Sequence, residues 1–180
     1  MRIVEWSAIK WQDTIPPMGK FLRRYLSERK PGSESYAVWN LLYKTLMDNG
    51  LEIGEVGFTS TGKPYFVNSN IYFSLSHSSG ICAVSIADVP TGIDVEKTDR
   101  KISDSVLKKV LSEDEYRCLK EYPVTGWCKK EAASKIEGDG LLESHAISII
   151  DPNTIEFAEY DAVVAGIKYK IVSGYLCGEI

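Results

Sequence analysis

The 180-residue chain carries 21 Lys and Arg against 25 Asp and Glu, a formal net charge of -4, and 44% of its residues are hydrophobic. This composition excludes a disordered or fibrous chain, and the acidic balance argues against a general nucleic-acid binder, which needs a basic field. No apolar run approaches the length of a membrane span and the start lacks the apolar core of a signal peptide. The scattered cysteines Cys82, Cys118, Cys128 and Cys177 form no CxxC pair, so a cytoplasmic protein with reduced thiols is expected.

In chain order, Arg2 to Ile9 alternates well enough to open on a strand. Pro16-Pro17 suits a helix start, and Met18, Phe21, Leu22, Tyr25 and Leu26 recur at helical spacing to about Arg29. Lys20, Arg23 and Arg24 on its other face read as a solvated surface in preference to a phosphate contact. Ser33 can cap a second helix with an apolar stripe from Ala37 to Leu46, which Asn49-Gly50 stops. Short strands follow at Glu52 to Phe58, Ile71 to Ser76 and Ile81 to Ala87, with a turn at Ser60-Thr61-Gly62. Asp88 to Gly92 punctuates the chain, dividing it into 1–91 and 92–180.

The second half repeats the order of elements. A strand at Gly92 to Glu96 precedes helical Ser103 to Val110; Ser112 and Glu115 form a capping box at the start of another helix, and a third runs from about Val124 to Glu137 until Gly138-Asp139-Gly140. Strands are expected at Ala146 to Ile150, Thr154 to Tyr160 and Lys168 to Cys177.

Side chains two apart on a strand share a face, so Asp94 and Glu96 point the same way. They could hold a hard cation such as magnesium, or simply form the polar face of a half-buried strand. Glu131 and Lys135, four apart on the third helix of that half, are either an ordinary ion pair or part of the same site. Ser74 to Gly80, following the aromatic pair Tyr72-Phe73, could cradle a phosphate or form a polar hairpin turn. A serine nucleophile paired with His77 is less attractive, since no GxSxG elbow is present, and His145 reads as structural. Gly62-Lys63-Pro64 reads as a turn with an exposed lysine.

Together, Gly62-Lys63-Pro64, Phe73-Ser74-Leu75-Ser76-His77-Ser78, Gly92-Ile93-Asp94-Val95-Glu96-Lys97 and Trp127-Cys128-Lys129-Lys130-Glu131-Ala132-Ala133-Ser134-Lys135 resemble the 4′-phosphopantetheinyl transferase superfamily. Gly138-Asp139-Gly140-Leu141 fits as well. The resemblance implies an α+β fold of two similar subdomains related by a pseudo-twofold, with coenzyme A in the cleft between them. It implies an enzyme that moves the phosphopantetheine arm of coenzyme A onto a serine of an apo acyl- or peptidyl-carrier protein and releases 3′,5′-ADP. By position, Asp94, Glu96 and Glu131 would bind magnesium or manganese. Lys63, Ser76 and His77 would meet the 3′-phosphate and adenosine end, and Lys135 the pyrophosphate. Glu131 is the candidate base and Lys135 steadies the leaving group.

The chain departs from the family in one place: Glu34 stands where longer members carry a nucleotide-binding arginine. Either Arg23, Arg24, Arg29 or Lys30 substitutes, or coenzyme A binds more weakly. An acidic carrier calls for a local basic patch, for which Lys97, Arg100, Lys101, Lys108, Lys109, Lys129 and Lys130 are candidates. A monomer suffices to build the cleft. The competing reading is a catalytically weak module of the same fold that binds coenzyme A or a carrier protein.

Overall fold

The computed structural model describes residues 1–9, 26, 33–138 and 148–177. Along these run β1 (Arg2–Ala8), α1 (Glu34–Asp48), β2 (Val56–Phe58), β3 (Pro64–Phe66), β4 (Tyr72–Ser78), β5 (Ile81–Ala87) and β6 (Thr91–Lys97). Then follow α2 (Asp104–Val110), α3 (Glu113–Leu119), α4 (Pro123–Glu137), β7 (Ile155–Val164) and β8 (Ile167–Leu176). This is a mixed α and β protein. The expected first helix lies outside the described residues apart from Leu26, which is helical and fully buried and whose carbonyl accepts the Tyr36 hydroxyl at 3.0 Å. His145 and residues 139–147 also lie outside them.

Two antiparallel three-stranded sheets carry the architecture, in the orders β1-β5-β4 and β6-β8-β7, with β2 and β3 forming a separate hairpin. Alternation along the strands gives each sheet two working faces. On the first sheet Phe73, Val84 and Ile86 face α1 and its Trp39, Leu42 and Leu46. The opposite face, through Ile81 and Ala83, meets Ile93, Val95, Tyr169 and Ile171 of the second sheet. The second sheet in turn packs Ile155 against Leu107, Val110, Ala133 and Ile136 of the helices. The sheets thus share an apolar core while each keeps a helical layer outside it.

The joint between them is also hydroxylated. Ser74 Oγ accepts from Ile93 N at 3.1 Å, Ser85 and Thr91 hydroxyls meet at 2.8 Å, Thr91 donates to Gly174 O at 2.8 Å, and Ser173 donates to Ser85 Oγ at 2.8 Å. Burial without partners would make such groups costly, and here each is satisfied by the opposing sheet.

Three strand expectations need correction. The strand expected from Glu52 is only Val56–Phe58, and that expected at Ile71 to Ser76 runs on to Ser78, leaving Ser79-Gly80 as the turn. Ser79 (φ 47°) and Gly80 (φ 102°) both sit in the left-handed region that a tight two-residue hairpin requires. Residues 148–150, expected as part of a strand, are not one: the Ser148 hydroxyl accepts from Ile150 N and Asp151 N, closing a local turn. The Ser112–Glu115 capping box is present as read, and Gly138 (φ 84°) closes α4.

Candidate active site

Strand β6 is the floor of the site. Its close neighbour is α4, and the contact depends on Gly92: a Cβ there would fall 1.9 Å from the Ala132 carbonyl oxygen. With the helix this close, α4 delivers Cys128, Glu131 and Lys135 toward β6. Lys135 Nζ donates to Asp94 Oδ1 at 2.9 Å and to Ile93 O at 2.8 Å, and lies 3.3 Å from Ser76 Oγ. Ser76 Oγ also donates to Asp94 Oδ1, at 3.0 Å. Asp94 is 5% exposed, and its second oxygen, Oδ2, is buried with no hydrogen-bond partner among the described residues.

Two residues further along β6, Ser78 Oγ donates to Glu96 Oε2 at 3.1 Å and Arg100 pairs with Oε1. The Arg100 guanidinium stacks 4.5 Å from the Trp127 ring centroid. Burial raises the pKa of Glu96, and the Asp94 charge raises it further. Burial and Asp94 act in the same way on Glu131, against Lys135 and Arg100. The Cys128 thiol, buried beside Asp94, is pushed well above its ordinary range, chiefly by desolvation. It is therefore held as a neutral thiol.

Sequence reasoning placed Asp94, Glu96, Glu131, Lys135 and Ser76 in one site, and the structure brings them to one end of the β6–α4 contact. Among the described residues, no group of three or more His, Cys, Asp or Glu side chains is gathered closely enough to hold a metal ion. The donor set nevertheless fits a hard cation in kind: the Asp94 charge helps raise the pKa of both Glu96 and Glu131, and Asp94 Oδ2, without a hydrogen-bond partner among the described residues, is an acceptor that a cation would satisfy.

Lys63 and His77 have partners that the sequence did not reveal. Lys63 Nζ donates to Ile136 O at 2.8 Å and Thr61 Oγ1 to Gly138 O at 2.6 Å, so the β2–β3 hairpin caps the C-terminal end of α4. Lys63 is accordingly half-buried, not an exposed turn lysine, and desolvation lowers its pKa. A cleft of about 290 Å³ lies beneath this hairpin, lined by Gly62, Lys63, Pro64, Phe73, Ser74, Leu75, Ser134 and Lys135. His77 points elsewhere, its Nδ1 2.8 Å from Oε2 of Glu34 in the first turn of α1.

The phosphate-cradle reading of Ser74 to Gly80 is modified in the same way. Ser74, Ser76 and Ser78 lie inside β4 and their hydroxyls engage β6. The supposed basic patch also loses members. Lys130 is 0% exposed, 3.1 Å from both carboxylate oxygens of Glu115, itself 2% exposed. Glu115 accepts as well from Ser112 N at 2.8 Å and Ile149 N at 2.9 Å. Lys129 pairs with Glu159 at 2.9 Å. The helical phase of α4 was the missed signal: Lys130 shares a side of the helix with the buried Gly126, Ala133 and Ser134.

These features define a carboxylate-lined site at a strand–helix contact, next to a cleft with two lysines. The model of the 4′-phosphopantetheinyl transferase superfamily matches residues 90–172, the stretch that holds β6, α4 and their connections. The chain is also similar to a Haemophilus influenzae protein named "Putative 4′-phosphopantetheinyl transferase", 24% identical over 128 residues, covering 60% of this chain and 51% of that protein. The chain thus spans about half the length of the curated relative it matches. No helix among the described residues is long and apolar enough to cross a membrane.

Proposed function

We propose that this protein transfers the 4′-phosphopantetheine arm of coenzyme A to a serine of an apo acyl- or peptidyl-carrier protein and releases 3′,5′-ADP. The observation that carries this reading is Asp94, buried on β6 beside the helix that bears Glu131, with one oxygen held by Ser76 and Lys135 and the other without a hydrogen-bond partner among the described residues. In this reading 1–91 and 92–180 are two α+β subdomains related by a pseudo-twofold, supported by their repeated pattern of a three-stranded antiparallel sheet with helices on one face. Coenzyme A lies between them, with Lys63, Ser76 and His77 toward its 3′-phosphate and adenosine end and Lys135 toward its pyrophosphate. The protein acts as a cytoplasmic monomer.

Asp94, Glu96 and Glu131 would hold magnesium or manganese, which would supply positive charge against that of the pyrophosphate. The chain's own residues do the rest. The carrier serine oxygen attacks the phosphorus that bears the pantetheine arm, and the bond from that phosphorus to the nucleotide oxygen breaks. Glu131 takes the serine proton when it is not engaged as a metal ligand, since one carboxylate cannot do both at once; burial and the Asp94 charge raise its pKa in the metal-free site. Lys135 offsets the charge that develops on departing 3′,5′-ADP, which can leave Asp94 for phosphate because its ammonium is part-buried and already within the cleft.

The test is mass spectrometry of several apo carrier proteins incubated with coenzyme A, magnesium and this protein. Wild type is expected to add the phosphopantetheine mass to a carrier serine, and Asp94→Ala to add none while keeping the wild-type circular dichroism. No mass gain on any carrier would favour instead the binding-module reading.

A further inference from the structure

The three acidic side chains of the site differ in what already holds them. Asp94 has one oxygen taken, by Ser76 at 3.0 Å and Lys135 at 2.9 Å, and Oδ2 without a hydrogen-bond partner among the described residues. No hydrogen bond from a described residue reaches the Glu131 carboxylate. At Glu96 both oxygens are engaged, Oε2 by the Ser78 hydroxyl at 3.1 Å and Oε1 by the Arg100 guanidinium. Arg100 comes from the turn after β6, where its N–H donates to Lys97 O at 3.1 Å. Its guanidinium lies 4.5 Å from the ring centroid of Trp127, one helical turn before Glu131 on α4. Hydrogen bonding in its plane and stacking across its face hold the group in one setting, a combination that an ammonium does not offer. The pair is also sheltered, with Glu96 16% and Arg100 36% exposed. The cross-strand neighbour of Glu96, Lys170, is turned to β7 instead, 2.8 Å from Asp161, and Lys135 is bonded to Asp94. Arg100 is thus the counter-ion of Glu96.

We infer that Arg100 is a positioning residue that withholds Glu96 from direct contact with a bound divalent cation, which is then held by Asp94 Oδ2 and Glu131 alone. The inference rests on the cation reading above and narrows it: Glu96, tied to Ser78 and Arg100, anchors the end of β6. A cation can take the Asp94 oxygen that no described group occupies, whereas at Glu96 it would have to displace a charge-assisted hydrogen bond. The Arg100 charge also opposes a second positive charge beside it. Removing Arg100 alone frees Glu96 and strengthens the site for a cation. Removing Arg100 and Glu96 together takes away a neutral pair and leaves the two ligands as they were.

Binding of Mn2+ to the full chain, followed by the paramagnetic resonance signal of the free ion and by water-proton relaxation, tests this without any transfer step. Wild type and the double variant Glu96→Gln with Arg100→Gln are expected to bind Mn2+ within about threefold of each other. Arg100→Gln should bind about tenfold more tightly, and Asp94→Asn about a hundredfold or more weakly. Mn2+ on wild type should keep about four of its six waters, and about one fewer on Arg100→Gln. A loss above about threefold in the double variant, an ion on wild type with about three waters or fewer, an Arg100→Gln ion as hydrated as that on wild type, or no binding of Mn2+ by wild type would each overturn the inference. The hydration of the wild-type ion needs no substitution, so it decides even where a variant fails to fold. Carrier proteins left unmodified while Mn2+ behaves as expected would instead overturn the transferase reading and leave the role of Arg100 standing.

Discussion

Lys130→Met removes a buried ammonium while keeping the length and packing of its stem. The perturbation is severe because both partners are out of water, Lys130 at 0% and Glu115 at 2% exposure, with Nζ 3.1 Å from each carboxylate oxygen. Breaking such a pair from one side costs about 3–5 kcal/mol, since an uncompensated charge stays buried. The lower end applies here, because Ser112 N and Ile149 N still donate to the Glu115 carboxylate. About 3 kcal/mol in a chain of this size lowers Tm by about 6–12 °C. Urea denaturation of Lys130→Met, Glu115→Gln and the double variant closes a double-mutant cycle. The double variant should recover most of the loss, with a coupling above about 2 kcal/mol that added salt leaves unchanged. A Lys130→Met cost under about 1 kcal/mol, or strictly additive effects, would show that the pair does not hold α3 and α4 together.

Other outcomes follow from single contacts. Gly92→Ala sets a methyl against the Ala132 carbonyl, a backbone atom that cannot swing aside, so β6 and α4 must separate; a loss of about 3 kcal/mol or more is expected from denaturation curves, and a neutral Gly92→Ala would contradict the close approach. Lys63 has its pKa lowered below the usual 10.5 by burial. Between that lowered value and 10.5 the unfolded chain binds more protons than the folded one, so stability rises with pH there. Wild type should therefore gain on Lys63→Met between pH 7 and pH 10, compared by urea midpoints; a gap independent of pH would refute it.

The sequence made some levels of this structure legible and hid others. Strand β5 could be read to the residue because Ile81–Ala87 is an unbroken small and apolar run between turns, and the α3 start because Ser112 and Glu115 carry their cap locally. Asp94 and Lys135 could be grouped through the family resemblance, although they come together only through the contact of β6 with α4. What stayed hidden was long-range pairing. Nothing local to Ser74, Ser76 and Ser78 says that another sheet will take their hydroxyls, although their period of two was compatible with a strand face. Likewise Lys129 and Lys130 are adjacent in the chain yet differ in fate, one paired at the surface with Glu159 and one enclosed with Glu115, a matter of helical phase.

The hydroxyls between the sheets act as a vernier. Apolar surfaces alone tolerate sliding, since one methyl group replaces another with little loss. The present setting puts Ser76 against Asp94 and Ser78 against Glu96. Advancing β4 by two residues would bring Gly80, which has no hydroxyl, to Glu96, while retreating by two would offer Tyr72 to the Ile93 N–H in place of Ser74. Only one alignment satisfies all three rungs, so the same contacts that join the sheets also gauge where Asp94 stands relative to Lys135.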